Sequence, residues 1–146
     1  MGLPHFKKPT ERRSSNMRAI RSAGNRTTET RLVSLLKEHR IRGWRLHPPH
    51  VIGNPDLLMK RERVAVFVDG CFWHGCPRCG HIPQTNDAYW FAKITRNKKR
   101  DRSVSRALKA LGYRVVRIWE CRLQAKPDRC LSRIVNAANS TSWEGK

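Results

Sequence analysis

With 146 residues, 38% of them hydrophobic, the chain is long enough to enclose one core, which excludes disorder throughout. It carries 31 Lys and Arg against 11 Asp and Glu, a net charge of +20, far more than solubility requires and a sign of a polyanionic partner. The basic residues run along the whole chain and do not gather on one amphipathic helix, which favours nucleic acid over a membrane surface; a solvated basic face or a ribosome-associated protein is the plainer alternative.

Residues 1–13 hold two prolines and several basic side chains with no apolar period, the pattern of a flexible basic arm. Ser14 and Ser15 are N-cap candidates for a short helix to Arg21 that carries Met17 and Ile20 on one side and ends at Gly24. A second helix is expected after Thr27 and Thr28, with Glu29 in its first turn, an apolar stripe of Leu32, Val33, Leu35 and Leu36, and a stop at Gly43. Trp44 to His47 alternates as an edge strand would, ahead of the Pro48-Pro49 break. Asp56 to Lys60 and Arg63 to Asp69 read as a hairpin across Arg61 and Glu62; the continuous apolar run Val64 to Val68 is that of a strand covered on both faces.

After a cysteine-rich loop, Asn86 or Asp87 caps a long basic helix to Leu111, with Trp90, Ile94, Leu108 and Leu111 inward and Gly112 ending it. Tyr113 to Cys121 reads as a third core strand, followed by a helix of about ten residues from Asp128 with Leu131, Ile134 and Val135 inward, and a tail at 141–146 that frays. The expected fold is α/β, a mixed central sheet flanked by helices, forming a single domain over residues 14–140. No run approaches the roughly 20 apolar residues of a membrane span and there is no apolar signal core, so the expected compartment is the cytoplasm.

Chemistry concentrates between Asp69 and Cys79, at a strand end, where active groups on such sheets gather. Cys71, Cys76 and Cys79 with the distant Cys121 make the four soft ligands of a structural zinc site. A redox Cys-x-x-Cys pair or buried thiols are the alternatives, and His74 or His81 is close enough to replace one cysteine. Cys130, on the apolar side of the last helix, reads as core. Asp56 at the start of one strand and Asp69 at the end of its partner give two acids suited to magnesium, although a Pro-Asp pair by itself is usually a turn. His74 suits a general base, or else a zinc ligand or loop histidine; Glu29 is either a helper at the site or a dipole partner. Adjacent Phe72 and Trp73 suggest stacking or insertion between bases, or else a cover over the zinc cluster.

At these residues the chain resembles the very short patch repair endonucleases, which nick DNA at T:G mismatches. The resemblance rests on Phe67-Val-Asp-Gly-Cys-Phe-Trp-His-Gly-Cys, Asn16-Met-Arg-Ala-Ile, Pro55-Asp56, Tyr89-Trp90, Asn97 to Asp101 and Trp119-Glu-Cys121, and runs from about Ser14 to Leu123. It implies a restriction-endonuclease-like nuclease domain with a structural zinc, and magnesium held by Asp56 and the backbone carbonyl of Val68. It further implies His74 as base with Glu29 ordering metal waters. Phe72, Trp73 and Trp90 would enter from the major groove and Met17 from the minor groove, with Asn97 and Asp101 also facing DNA. Double-stranded DNA is then the partner, together with mismatch-repair proteins, for a nucleoid-associated monomer. Two positions depart from the family pattern: Asp69 and Cys76 stand where histidines are usual. Cys76 keeps zinc chemistry, whereas Asp69 adds an acid beside the metal site and opens a second reading, a nicking or restriction nuclease of host defence. A zinc-stabilised DNA-binding protein without catalysis is the third.

Overall fold

The computed structural model of the chain describes residues 28–80 and 82–139. The basic arm, the short helix with Met17, His81 and the tail at 141–146 lie outside the described residues. Helix α1 covers residues 28–38. Strands β1 (Trp44–Leu46), β2 (Leu57–Met59) and β3 (Val64–Asp69) follow, then a four-residue helix α2 (Cys71–His74), the long α3 (Asp87–Ala110), β4 (Arg114–Trp119), α4 (Glu120–Ala125) and α5 (Pro127–Asn139).

The four strands form one mixed sheet in the order β1-β2-β3-β4. The β2–β3 hairpin is antiparallel with Leu57 opposite Val66, and β1, as expected, is the antiparallel edge. Strand β4 runs parallel to β3 with Phe67 beside Arg117, a pairing that needs the crossover supplied by α3. Period-2 alternation divides the core. Leu57, Val64, Val66, Val116 and Ile118 pack with Leu32 and Leu36 of α1, Leu123 of α4 and Leu131 and Ile134 of α5, while Leu58, Ala65 and Phe67 pack under Leu108 of α3. Helices therefore cover both faces, which is why β3 is apolar at nearly every position. Cys130 is buried in the larger core, as its place on α5 suggested.

Several expectations are corrected. The cysteine-rich stretch is not all loop, since Cys71–His74 forms a helical turn closed by Gly75 in the left-handed conformation (φ 67°). A Cβ on Gly75 would come within 2.8 Å of Ile94 Cγ2 on α3, so a tight turn and a close approach both call for glycine. The last core strand stops at Trp119, and Cys121 sits in the first turn of α4 and not at a strand end. Leu111 is 54% exposed because it lies past the last turn of α3, where Gly112 (φ 89°) turns the chain away. The last helix is 13 residues long and begins at Pro127.

Candidate active site and metal centres

The topology brings four chain segments to one edge of the sheet. Because β1 and β2 are antiparallel, the residue after β1 and the residue before β2, His47 and Asp56, share an end, and the backbone N–H of His47 donates to the Asp56 carbonyl at 3.1 Å. The carboxy-terminal ends of β3 and β4 lie at that same end, with Asp69 beside Trp119. A cavity of about 550 Å³ opens there, lined among others by Asp56, Val68, Asp69, His74, Arg100 and Asp101. Opposing walls come from the sheet edge and from α3.

On the sheet side, Asp56 Oδ2 accepts a 2.7 Å hydrogen bond from the Val68 backbone N–H, which fixes the carboxylate beside the carbonyl end of β3. Burial raises the Asp56 carboxyl above its ordinary range, against the lowering effect of that N–H and of His47; nearby Asp69 and Glu29 raise it further. Glu29 reaches the same place from α1, where its Oε1 lies 3.2 Å from His47 Nε2, and Glu29, His47, Asp56 and Val68 line a second cavity of about 280 Å³. His47 adopts a left-handed backbone conformation (φ 43°), uncommon outside glycine and frequent near sites.

The α3 side holds the histidine. His74 Nδ1 lies 2.6 Å from Asp101 Oδ2; an ionised carboxylate only accepts, so with Asp101 ionised Nδ1 donates, and in the neutral ring Nε2 then keeps a lone pair. Asp69 Oδ1 is 3.8 Å from the same nitrogen. Burial raises the Asp69 carboxyl, offset by His74 and by Arg117 of β4, with Asp101 raising it again. Asn97 Nδ2, one helical repeat before Asp101, donates to the Trp73 carbonyl at 2.9 Å and ties α2 to α3. Asn97 and Asp101, expected to face DNA, are thus both engaged inside the chain.

Sequence reasoning did not single out Arg117 or the contacts that Asn97 and Asp101 make inside the chain, although for these two a signal existed. Trp90, Ile94, Val104 and Leu108 form the inward stripe of α3, and Asn97 and Asp101 fall on that stripe where it crosses the sheet end. A polar interruption of an apolar stripe marks a site.

The four expected zinc ligands do converge. The Sγ atoms of Cys71, Cys76, Cys79 and Cys121 all lie within 4.8 Å of one another, and those of Cys76 and Cys121 are 3.8 Å apart. Tetrahedral zinc with Zn–S bonds of about 2.3 Å places its sulfurs about 3.8 Å apart, the separation seen for Cys76 and Cys121, so four such thiols could hold that ion. Burial works against ionisation of Cys76, but backbone N–H groups of Cys79 and Arg78 bring its thiol down to about 7, whereas burial pushes Cys71 up. One thiolate is therefore prepared electrostatically, and a cation would ionise the rest. Gly80 closes the cage: a Cβ there would meet the Cys76 carbonyl oxygen at 2.6 Å and the Cys71 carbonyl oxygen at 2.9 Å.

Beside the cavity, which Trp73 helps to line, stands a cluster of edge-to-face aromatic rings. Phe72 packs on Trp73 (4.9 Å between centroids) and on Trp90 (5.3 Å), Tyr89 joins Trp90 (5.2 Å), and Lys93 Nζ lies 5.5 Å from the centre of the Trp73 ring. Phe72 and Trp73 are half-buried, and Trp90 is only 7% exposed, forming the floor of the cluster.

Helices on both faces of a mixed sheet place acids and a histidine at one strand end with a four-cysteine cluster near them, an arrangement able to support hydrolytic chemistry. The family model described as DNA mismatch endonuclease Vsr matches residues 6–79. The chain is 37% identical over 116 residues to the DNA mismatch endonuclease Vsr of Escherichia coli strain K12, an alignment covering 78% of this chain and 72% of that protein. Type II nicking enzymes of Lentzea aerocolonigenes (39% over 115 residues; 74% of this chain, 67% of the relative) and Xanthomonas oryzae pv. oryzae (41% over 115 residues; 77% and 82%) are similar to it as well. The chain belongs to the Vsr family of DNA mismatch endonucleases.

Proposed function

We propose that this DNA endonuclease is a magnesium-dependent nickase of restriction-endonuclease-like fold, which hydrolyses one strand of duplex DNA on the 5′ side of the T in a T:G mismatch. The observation that carries the reading is the pairing, across one cavity, of Asp56 beside the Val68 strand end with the His74–Asp101 couple.

The oxygen donors suit magnesium. Asp56 is desolvated, and its carboxyl is raised further by the two acids that approach it, so a divalent cation relieves a strain already present. Asp56 and the Val68 carbonyl would hold the ion, and Glu29, kept by His47, would stand beside its waters. When bound, magnesium supplies charge for the phosphate oxygens and makes nearby water more acidic. His74 Nε2 takes a proton from the attacking water as the new bond to phosphorus forms and the bond to the 3′-oxygen breaks, the 3′-oxygen leaving as a hydroxyl with a proton from solvent water. Asp101 on Nδ1 keeps the ring in the tautomer that allows this and stabilises the imidazolium that results. The zinc cage does no chemistry; it fixes α2, and with it His74, against the end of β3.

Phosphate binding falls to the exposed basic face of α3, where Lys98, Lys99, Arg102 and Arg106 are open to solvent. Mismatch selection falls to the Phe72–Trp73 blade backed by Trp90, with Met17 as the opposing wedge. A T:G wobble is easier to unstack than a matched pair, so insertion turns a difference of a few kcal/mol into selectivity.

The similarity to type II nicking enzymes and the acid at Asp69 favour a second reading, host-defence nicking without mismatch preference. Labelled T:G and T:A duplexes incubated with the zinc-loaded protein and magnesium decide the matter. One nick 5′ of the mispaired T is expected. Equal cutting of both duplexes would install the defence reading, and tight binding without cutting would leave a non-catalytic DNA-binding protein.

A further inference from the structure

Arg117 has no role in the mechanism above, yet the fold alone gives little reason for it. On β4 it stands in register with Phe67, so its side chain lies on the face where Leu58, Ala65, Phe67 and Leu108 make the smaller core. An apolar side chain in that row would add to the core, whereas a guanidinium with 22% side-chain exposure needs partners to offset its desolvation.

The partners are all at the active site. The guanidinium carbon sits 4.2 Å over the Phe67 ring, which carries the group along the sheet toward the strand end. Nη1 donates to both oxygens of Asp69, at 3.0 and 3.3 Å, and lies 3.7 Å from Asp101 Oδ1. Nη2 donates to the Asp101 backbone carbonyl at 3.1 Å, and Nε to Ser105 Oγ at 3.0 Å. One side chain thus joins the end of β3 to two successive turns of α3, and both carboxylates it touches flank His74 Nδ1. Without it, the two carboxylates that flank His74 Nδ1 lose the guanidinium that bridges them.

We propose that Arg117 is a positioning residue for the nicking reaction: by clamping Asp69 and Asp101 it holds Asp101 on His74 Nδ1 and keeps Asp69 as an anchor of that pair. The proposal rests on the reading of His74 as the base. The fork geometry matters as well as the charge, since a lysine reaches one acid but cannot bridge Asp69, the Asp101 carbonyl and Ser105 together.

The test uses the zinc-loaded full chain and its Arg117→Met and Arg117→Lys variants, with melting temperature and zinc content establishing that each is folded. The deciding readout is the slowly exchanging His74 Nδ1–H proton resonance in DNA-free protein. It is expected in the parent, reduced in Arg117→Lys and lost in Arg117→Met. Single-turnover nicking at saturating T:G duplex should fall about 10- to 100-fold in Arg117→Met, as when the partner of a functional histidine is removed. The dissociation constant for the duplex should stay within about threefold, because the basic face of α3 is untouched. A folded Arg117→Met protein that keeps the resonance overturns the proposal whatever its rate. So does one that nicks at the parent rate with a lower magnesium requirement, since Asp69 would then act as a metal ligand that Arg117 restrains. Should Arg117→Met fail to fold, Arg117→Gln, which drops the charge but keeps a donor, takes its place under the same criteria. A parent protein that nicks nothing would refute the proposed function, while the resonance would still decide the part played by Arg117.

Discussion

Asp56 shows how function and stability oppose each other at one residue. Its carboxyl is raised above the ordinary value of 3.8, chiefly by burial. In the window above that value the folded chain holds a proton that the unfolded chain has released, so stability falls as pH rises through the raised value and stays reduced at neutrality. Asp56→Asn should therefore melt at a higher temperature than the parent at pH 7 in the absence of magnesium, and the difference should vanish near pH 3. Magnesium should raise the melting temperature of the parent and leave Asp56→Asn unmoved. Calorimetry across pH checks both, and a lower melting point for Asp56→Asn at pH 7 would show the acid to be a structural group. His74→Ala belongs to the same scale: nicking should fall by at least about 100-fold, in the range of general-base removal, with DNA binding retained.

At the scale of elements, the proposed metal cage would hold the two short helices in place. Helix α2 has four residues and α4 six, well below the length at which a helix persists on its own, and Cys71 and Cys121 lie in their first turns. Cys121→Ser should lose the zinc and lower the melting temperature by roughly 10 °C, with elemental analysis and thermal denaturation as the measurements. Their shortness explains why α2 and α4 were not legible in the sequence: four or six residues carry no 3.6-residue period, and the four cysteines that meet beside them come from two distant segments of the chain. Longer elements were legible because burial leaves a period. The β3 run, the β2–β3 hairpin and the α3 stripe could all be read, and Asp56 and Asp69 with them, as acids at strand ends. Arg117 was hidden because a parallel pairing between β3 and β4 is fixed by a crossover, and its register against Phe67 has no local sequence signal.

For the whole molecule, the net charge of +20 and the aromatic cluster divide recognition into two parts. Phosphate neutralisation supplies affinity, so DNA binding should weaken at least about 100-fold between roughly 50 and 200 mM salt, equally for matched and mismatched duplexes. In the proposed mechanism, stacking supplies selection. Trp73→Ala should lower the T:G over T:A nicking ratio by at least about fivefold while leaving that salt dependence in place, which competition binding and nicking assays on the two duplexes would register. In that mechanism, the Phe72–Trp73 blade sets the scissile phosphate against Asp56 and His74 only while the cysteine cage holds α2 in place. All of this comes down to cleavage centred on Asp56. Single-turnover nicking and duplex binding by Asp56→Asn, measured side by side in magnesium, test that claim most directly. The account predicts loss of nicking with affinity equal to or above that of the parent, because a carboxylate has been neutralised on a polyanion-binding surface; nicking at the parent rate would contradict it.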